Sequence, residues 1–360
     1  MSNIKLQIRP DAFPILLKDI DLGLYLLESK IPDGTFDMSQ VQVVLDNNVL
    51  GLATSDPEIF VQKIGWYYGL AGTVCLNPAI AFVEQYLSND KENALQHIRS
   101  FEHAFEPFGL FPTGYSQNIA STIFERDVEI RQQVGSLFCF VALLRHWYKM
   151  PHTVSADPVS QWTNLFSMDI PRSGLMYWLG GMFLLSKMNS KLTLLKQDKP
   201  IEKYAAGFCD FRKIERDDYS RWLRNRVFDL LLFTLAPTLS FEELGGISSR
   251  TILASQDKFI GEFLGRLFAW YGEPKYGEPW RLAPLLRVID LSDEKSKEGV
   301  DLLYKNYPTF RSPPDERVKE QRFRNLIDLA LSTLIDGERR NLYQALNEYR
   351  IFESLVGKFK

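Results

Sequence analysis

The chain has 360 residues, of which 45% are hydrophobic and 24% are charged. This composition is typical of a packed globular protein and excludes disordered, collagen-like and coiled-coil chains. The 42 Lys and Arg residues against 45 Asp and Glu residues give a formal net charge of −3. The chain therefore lacks the basic excess of proteins that coat duplex DNA, and any contact with nucleic acid must be a local patch.

The first half of the chain mixes helical patterns with one strand. An amphipathic pattern over 11–30 predicts a helix, and the β-branched run 41–45 predicts a strand that ends in a turn. Two helices are predicted at 56–67 and 78–87, and the second has Asn77 as its cap and Pro78 as its first residue. From residue 93 to about 216 the patterns are helical, which indicates a helical insertion.

The second half contains another strand and more helices. A strongly apolar helix begins near Asp217, and a short strand, 251–254, precedes a helix predicted from Asp257 to about residue 270. The repeated Tyr-Gly-Glu-Pro of 271–279 predicts a loop, and 292–312 has the composition of a charged linker. The predicted fold class is α/β, predominantly helical, with a small parallel sheet.

Cysteine and histidine usage narrows the possible chemistry. Three cysteines and four histidines are scattered along the chain, which excludes a disulfide framework and zinc sites with CxxC or HExxH spacing. Phosphate-binding, dinucleotide-binding and serine-hydrolase signatures are also missing from the sequence. The longest apolar stretches are too short to cross a bilayer, and the first residues lack a signal-peptide core. We therefore expect a cytoplasmic protein without membrane segments.

Four acidic residues are the best candidates for a site. Asp46 and Asp257 each follow a predicted strand, so a parallel sheet would bring them to one edge. Glu84 and Asp229 lie in apolar helices, where a lone carboxylate is costly unless it is paired or bound to metal. Four converging carboxylates would form an oxygen site that suits Mg²⁺ or Mn²⁺.

Each of these acids also has a simpler interpretation. Asp46 and Asp257 could cap the helices that follow them. Glu84 could face solvent or pair with a lysine. Asp229 could form a buried ion pair with Arg226 or another arginine.

The order of these segments resembles the PIN-domain nucleases. LDNNVL, with Asp46 and Asn48, is similar to the opening signature of that family, and Glu84 follows in a helix that begins Asn-Pro-Ala. DLLLFTLA, with Asp229, resembles the helix of the third acid, and ILASQDKF, with Asp257, resembles the last strand and acid. Two departures are Asn47, where the family has a hydroxyl residue, and the long interval between Glu84 and Asp229.

The resemblance implies a Rossmann-like PIN core and metal-dependent phosphodiester hydrolysis. The core would comprise 38–92 plus 217–272, interrupted by a helical insertion at 93–216 and followed by a loop and helical region at 273–360. The four acids would hold Mg²⁺ or Mn²⁺, Asn48 would orient the first acid or a water molecule, and Asp169 and Asp217 remain rivals of Asp229. The substrate would be RNA more often than DNA.

A basic segment is the candidate surface for nucleic acid. Arg221, Arg224 and Arg226 lie in 212–226, a segment with six basic and three acidic residues. Tyr219 and Trp222 lie between these charged residues in the sequence. Lys258 follows the last acid. A solvated helix face with internal ion pairs is the simpler alternative. As a whole, the protein could instead be a non-enzymatic protein-interaction or nucleic-acid-binding protein with a degenerate PIN-like core, binding a protein partner through its helical insertion or tail.

Overall fold

A computed structural model gives the structure of most of the chain. It describes residues 15–19, 21–28, 40–67, 73–88, 91–109, 114–151, 157–189, 191–195, 199–209, 219–235, 250–271, 281–308 and 315–356. Two compact units are formed, unit 1 by Met1–Asp127 and Asp229–Leu282 and unit 2 by Val128–Phe228 and Ala283–Lys360. This division differs from the predicted boundaries, because 93–127 groups with the sheet of unit 1 instead of with the predicted insertion.

The described residues form seven strands, and most of the remaining regular structure is α-helical. The strands are β1 Ile15–Asp19, β2 Leu24–Glu28, β3 Gln40–Leu45, β4 Thr73–Asn77, β5 Arg250–Ser255, β6 Phe268–Tyr271 and β7 Arg281–Pro284. The α-helices are α1 Asn47–Ser55, α2 Pro57–Tyr67, α3 Ala79–Ser88, α4 Lys91–Phe105, α5 Tyr115–Glu125, α6 Asp127–Lys149, α7 Pro158–Leu165, α8 Gly174–Met188, α9 Ile201–Cys209, α10 Tyr219–Leu235, α11 Gly265–Leu267, α12 Glu294–Lys305, α13 Glu316–Thr333, α14 Asp336–Glu348 and α15 Glu353–Val356. A π-helix, Phe259–Leu264, runs into α11.

The predicted helical α/β class is confirmed, with a sheet that is mixed. Five strands lie in the order β1-β2-β5-β3-β4, and β6 and β7 form a separate two-stranded sheet. Within the larger sheet β3 pairs in parallel with β4 and with β5. β2 pairs antiparallel with β1 on one side and with β5 on the other. The carboxyl ends of β3, β4 and β5 therefore meet at one edge.

One face of this sheet builds a hydrophobic core with the helices around it. Val43, Leu45 and Ile252 are fully buried and belong to the same cluster as residues of α1, α2 and α4. Phe101 and Phe105 of α4 belong to this cluster too. Their burial explains why 93–127 groups with the sheet, since these aromatic side chains complete its core.

The first two strands form a hairpin, so the predicted helix over 11–30 is wrong where the structure describes it. Leu17 pairs with Leu26 in an antiparallel register, and Gly23 adopts the left-handed conformation with φ of +61° in the turn. Apolar residues crowd this segment, so its pattern fits a helix as well as a strand that is buried on both faces. Tertiary pairing with β5 decides between them.

Three other elements differ from the sequence-based expectations. The sequence pattern does not predict β4, which forms because Thr73–Asn77 pairs with β3. The helix expected from Asp257 ends at Leu267, and β6 follows. Part of the expected linker forms α12, which begins with Asp293 as its cap. Residues 272–280, most of the predicted loop, lie outside the described residues.

A membrane span is not found among the described residues, where no helix combines sufficient length with sufficient apolar character. The apolar helix α8 illustrates the point, because it is only 15 residues long.

Two glycines allow the segment after β5 to pack closely on β2. A Cβ atom added to Gly261 would lie 2.2 Å from the ring of Tyr25, and one on Gly265 would lie 2.6 Å from Leu27. Tyr25 also donates a hydrogen bond from its hydroxyl to Glu262 at 2.8 Å. The contact therefore depends on the absence of side chains at these two positions.

We predict that Gly261→Ala lowers the free energy of unfolding by about 1–3 kcal/mol, because the new methyl group overpacks a rigid aromatic contact. Gly65→Ala is the matched control, since Gly65 lies in α2 with open space around it. That substitution is expected to be neutral or to stabilise by up to about 1 kcal/mol. Urea unfolding of both variants measures the difference, and equal stabilities would contradict the prediction.

Unit 2 contains a buried ion cluster between α6 and α14. Arg145 and His146 are 6% and 5% exposed. They contact the two carboxylate oxygens of Glu338 at 2.9 and 2.6 Å. Burial alone would raise the pKa of Glu338, but the hydrogen bond from His146 and the charges of His146, Arg145 and Lys149 outweigh it and hold that pKa below its ordinary value.

We predict that Glu338→Gln lowers the free energy of unfolding at neutral pH by on the order of 3 kcal/mol, because two buried groups lose their carboxylate partner. Since the folded pKa of Glu338 is depressed, its contribution is present above the unfolded pKa and is lost as the pH falls through the folded value. Urea unfolding from about pH 7 to about pH 3 should show the two proteins converging.

Glu316→Gln serves as the control for this series. Glu316 is 65% exposed and pairs with Lys319 within one helix, so its loss should change stability by less than about 1 kcal/mol. A wild-type advantage over Glu338→Gln that persists unchanged in acid would argue against the assignment.

Candidate functional site

Asp46 follows β3 at the carboxyl edge of the sheet. Its backbone N–H donates to the carbonyl of Ala254 at 3.1 Å, which extends the pairing of β3 with β5. Its side chain caps α1 by accepting a hydrogen bond from the backbone N–H of Asn48, as aspartate does well at this position. Only 6% of Asp46 is exposed. The capping role that the sequence offered as an alternative is thus present.

Ser255 joins Asp46 to the end of β5. Its hydroxyl donates to Asp46 Oδ2 at 2.6 Å and accepts from the backbone N–H of Asp257 at 3.0 Å. Ser255 is fully buried, whereas Asp257 is half-buried. One hydroxyl therefore connects the carboxylate that follows β3 with the residue that follows β5, and the predicted meeting of these two strand ends is found.

Asp257 also caps the segment that follows it. Its side chain accepts a hydrogen bond from the backbone N–H of Phe259, and its carbonyl accepts from Gly261 at 3.0 Å. The segment that begins here is a π-helix, a conformation often found near functional sites.

The electrostatics of Asp46 are unfavourable to its ionised form. Burial is the main cause that raises the pKa of Asp46, and the nearby charge of Asp257 raises it further. The hydrogen bonds from Ser255 and from the backbone of Asn48 oppose this effect without cancelling it. A positive charge placed between the two carboxylates would favour the ionised form of Asp46.

Glu84 and Asp229 are half-buried in α3 and α10. Among the described residues, which include all four candidate acids, no group of three or more His, Cys, Asp or Glu side chains is placed to hold a metal ion. The structure thus brings together Asp46 and Asp257 but does not add the other two acids to form a four-carboxylate group. Of their rivals, Asp169 pairs with Arg322 at 2.6 Å, and Asp217 lies outside the described residues.

The two asparagines after Asp46 make different contacts. Asn48 contributes its backbone N–H to Asp46, while its side chain lies in an exposed position. Asn47 accepts a hydrogen bond from Gln85 of α3 at 3.2 Å. Asn47 therefore links α1 to α3 beside the site, a role that the sequence did not reveal.

The basic segment is only partly a surface. Arg226 donates to the carbonyl of Gly207 at 3.4 Å and lies over the ring of Phe208, so it helps to pack α10 on α9. Trp222 and Tyr219 are buried, so the aromatic side chains interleaved with the basic residues do not lie on the surface of this segment. Arg224 is half-buried, and Arg221 is exposed, as is Lys258 in unit 1.

The site residues that sequence reasoning missed are polar groups inside the sheet. Ser255 stands two residues before Asp257, and Gln42 and Asn77 lie in β3 and β4. A hydroxyl or amide within an otherwise apolar strand was the available signal. Comparison of the chain with protein-family models, curated proteins and solved structures returns no match, so the resemblance to PIN-domain nucleases stays a prediction.

We predict that Asp46→Asn stabilises the protein when no divalent cation is present. Asparagine retains the helix cap and removes the carboxyl group of Asp46, whose pKa is raised in the folded protein. An acidic side chain with a raised folded pKa makes the protein less stable as the pH rises from the unfolded pKa through the folded pKa. The stability gained by Asp46→Asn should therefore appear above that pH interval and vanish in acid. Thermal unfolding at a series of pH values measures this gain in stability. We expect about 0.5–2 kcal/mol, the usual range for stabilising substitutions. A variant less stable than wild type at neutral pH would contradict the electrostatic argument.

Proposed function

We propose that the edge formed by β3 and β5 binds a divalent cation and that the protein hydrolyses phosphodiester bonds of nucleic acid, with RNA favoured over DNA. The observation that carries this proposal is the buried Asp46 held beside Asp257 by the Ser255 hydroxyl. Both residues cap helices, but a neutral side chain would serve that purpose, and the charge of two neighbouring carboxylates, of which one is buried, costs stability. A cation that compensates them is the simplest reason for the arrangement. On this view the chain is a PIN-like ribonuclease.

The donor set fits Mg²⁺ or Mn²⁺. Mg²⁺ is commonly bound by one or two carboxylates, with water and substrate oxygens completing its shell. Asp46 and Asp257 would supply these carboxylates, and Ser255 would keep Oδ2 of Asp46 in a fixed orientation. When bound, the ion would lower the pKa of a coordinated water and offset negative charge on the phosphoryl oxygens.

Two features of unit 1 beside this pair support the proposal. Lys258 is exposed and directly follows Asp257, so it can contact a phosphate of the substrate backbone. The Gln85 bond to Asn47 holds α3, which carries Glu84, against α1. Among the other basic candidates, Arg221 is exposed on unit 2.

A second candidate function is non-enzymatic binding by a degenerate PIN-like core. The observation that favours it is the absence, among the described residues, of a metal-holding group of three or more acids. In that case Asp46 and Asp257 would act only as helix caps. The two functions differ in whether the purified protein binds a divalent cation.

We predict that Mn²⁺ raises the melting temperature of the wild-type protein and supports cleavage of a single-stranded RNA, and that Asp46→Asn loses both effects. A ligand present at about 100 times its dissociation constant stabilises by about 2.7 kcal/mol, which thermal unfolding detects readily. Cleavage by Asp46→Asn should fall by at least about 100-fold if that carboxylate holds the ion.

Asp56→Asn is the matched control for this experiment. Asp56 caps the start of α2 by accepting from the backbone N–H of Ile59 at 3.0 Å, and it is exposed. Its substitution should leave both the Mn²⁺ response and the cleavage rate as in wild type. If Mn²⁺ does not stabilise the wild-type protein, the nuclease proposal fails and the binding function is favoured.

A further inference from the structure

A row of three buried polar side chains crosses the parallel part of the sheet. Gln42, Asn77 and Thr251 are between 1% and 2% exposed. Asn77 Nδ2 donates to Gln42 Oε1 at 2.9 Å, and Gln42 Nε2 donates to Thr251 Oγ1 at 3.3 Å. The row therefore links β4, β3 and β5 through their side chains in addition to the backbone ladder.

Such a row is unusual at this place in a fold. Parallel strands covered on both faces are normally continuous apolar runs, and a buried amide is costly unless its hydrogen bonds are made. Gln42 makes one hydrogen bond to each neighbouring strand, so its donor and its acceptor are both used. These bonds form together only when all three strands have the observed register.

The same register governs the candidate site. Gln42 pairs with Thr251 across β3 and β5, and the ladder continues to Leu45 with Ala254. Asp46 and Ser255 come next, and they are joined by the 2.6 Å hydrogen bond. Side chains of a strand alternate between faces, so two side-chain bonds between β3 and β5, four residues apart on each strand, lie on one face.

A slip of register would separate the site residues. Shifting β3 by one residue against β5 moves its side chains to the opposite face. Shifting it by two residues keeps the face but removes Asp46 from Ser255. The Gln42 bonds to Thr251 and Asn77 are lost in either case, so they favour the one register that forms the site.

Asn77 extends this constraint to α3. Its Oδ1 accepts a hydrogen bond from the backbone N–H of Ala79 at 2.9 Å and so caps that helix. The helix returns a hydrogen bond from Gln85 to Asn47 beside Asp46. The amide of Asn77 therefore binds to Gln42 on one side and fixes the start of α3 on the other.

We propose that Gln42 is a positioning residue for the candidate site, holding β3 in register with β5 and β4 so that Asp46 meets Ser255. Its consequence for cation binding rests on the function proposed above. Its effect on Asp46 does not, because the contact with Ser255 exists without a cation.

The test uses two variants and two readouts on the full-length protein. Gln42→Met keeps the size of the side chain and removes both hydrogen bonds. Asn77→Ser retains a helix-capping oxygen and removes the longer amide N–H that donates to Gln42, so it tests the row even if Gln42→Met folds poorly. The readouts are the titration of the Asp46 carboxyl carbon by nuclear magnetic resonance without metal, and the affinity for Mn²⁺.

We expect both variants to move the Asp46 titration to higher pH, in the direction of a Ser255→Ala reference, because the hydrogen bond from Ser255 favours the ionised form. Mn²⁺ affinity should fall by about 10-fold, as is typical when a group that orients a metal ligand is lost. Ile252→Val is the matched control, since Ile252 lies in β5 within the hydrophobic core cluster, and it should change neither readout.

The two proposals fail separately. If both variants titrate like wild type, the positioning role of Gln42 is overturned whatever the metal result. If the titration moves in the variants but wild type does not bind Mn²⁺, the positioning role stands and the nuclease proposal falls. If the titration moves and wild type binds Mn²⁺ but the variants bind equally well, the register does not serve the cation site and the proposal is overturned in that part.

Discussion

The parallel pairing of β3 with β5 is the constraint on which the candidate site depends. Asp46 and Ser255 are 209 residues apart along the chain, and this pairing places them 2.6 Å apart through a side-chain hydrogen bond. The same pairing brings Asp257 to the edge where α1 begins. Hydrogen bonds then hold these residues in position. Asp46 and Asp257 each cap the helix that follows, and Ser255 contacts both residues.

Two carboxylates, one half-buried at Glu338 and one buried at Asp46, show how differently this protein treats negative charge. Glu338 is surrounded by Arg145 and His146, and its pKa is held below the ordinary value, so the folded state favours the ion. Asp46 has hydrogen bonds but no described cationic partner among the causes that set its pKa, which burial and Asp257 raise. The first arrangement contributes to stability, whereas the second reduces it, and stability is commonly lost where a site is organised for a ligand.

Much of the sheet and part of the site could be predicted from the sequence. The β-branched runs before Asp46 and Asp257 identified β3 and β5, and a parallel sheet then required those two acids to share an edge. The hairpin of β1 and β2 could not be recognised, since adjacent leucines such as Leu16–Leu17 and Leu26–Leu27 fit helical and strand periods alike. Convergence of Glu84 and Asp229 depends on how helices pack, which spacing along the chain does not determine. The link through Ser255 likewise requires the strand register, which only the three-dimensional structure supplies.

The strand order has a consequence for how the protein is made. β5 lies at the centre of the sheet, between β2 and β3, although it comes last of the five in the chain. A ribosome adds about 5–20 residues per second, so the nascent chain carries β2 and β3 for tens of seconds before their shared neighbour emerges. During that time both strands expose unpaired edges, which are templates for association with other chains. Unit 2 contributes 128–228 to that interval, so its helices α7, α8 and α9 are synthesised before β5 completes the sheet of unit 1, whereas its helices from α12 onward follow β5.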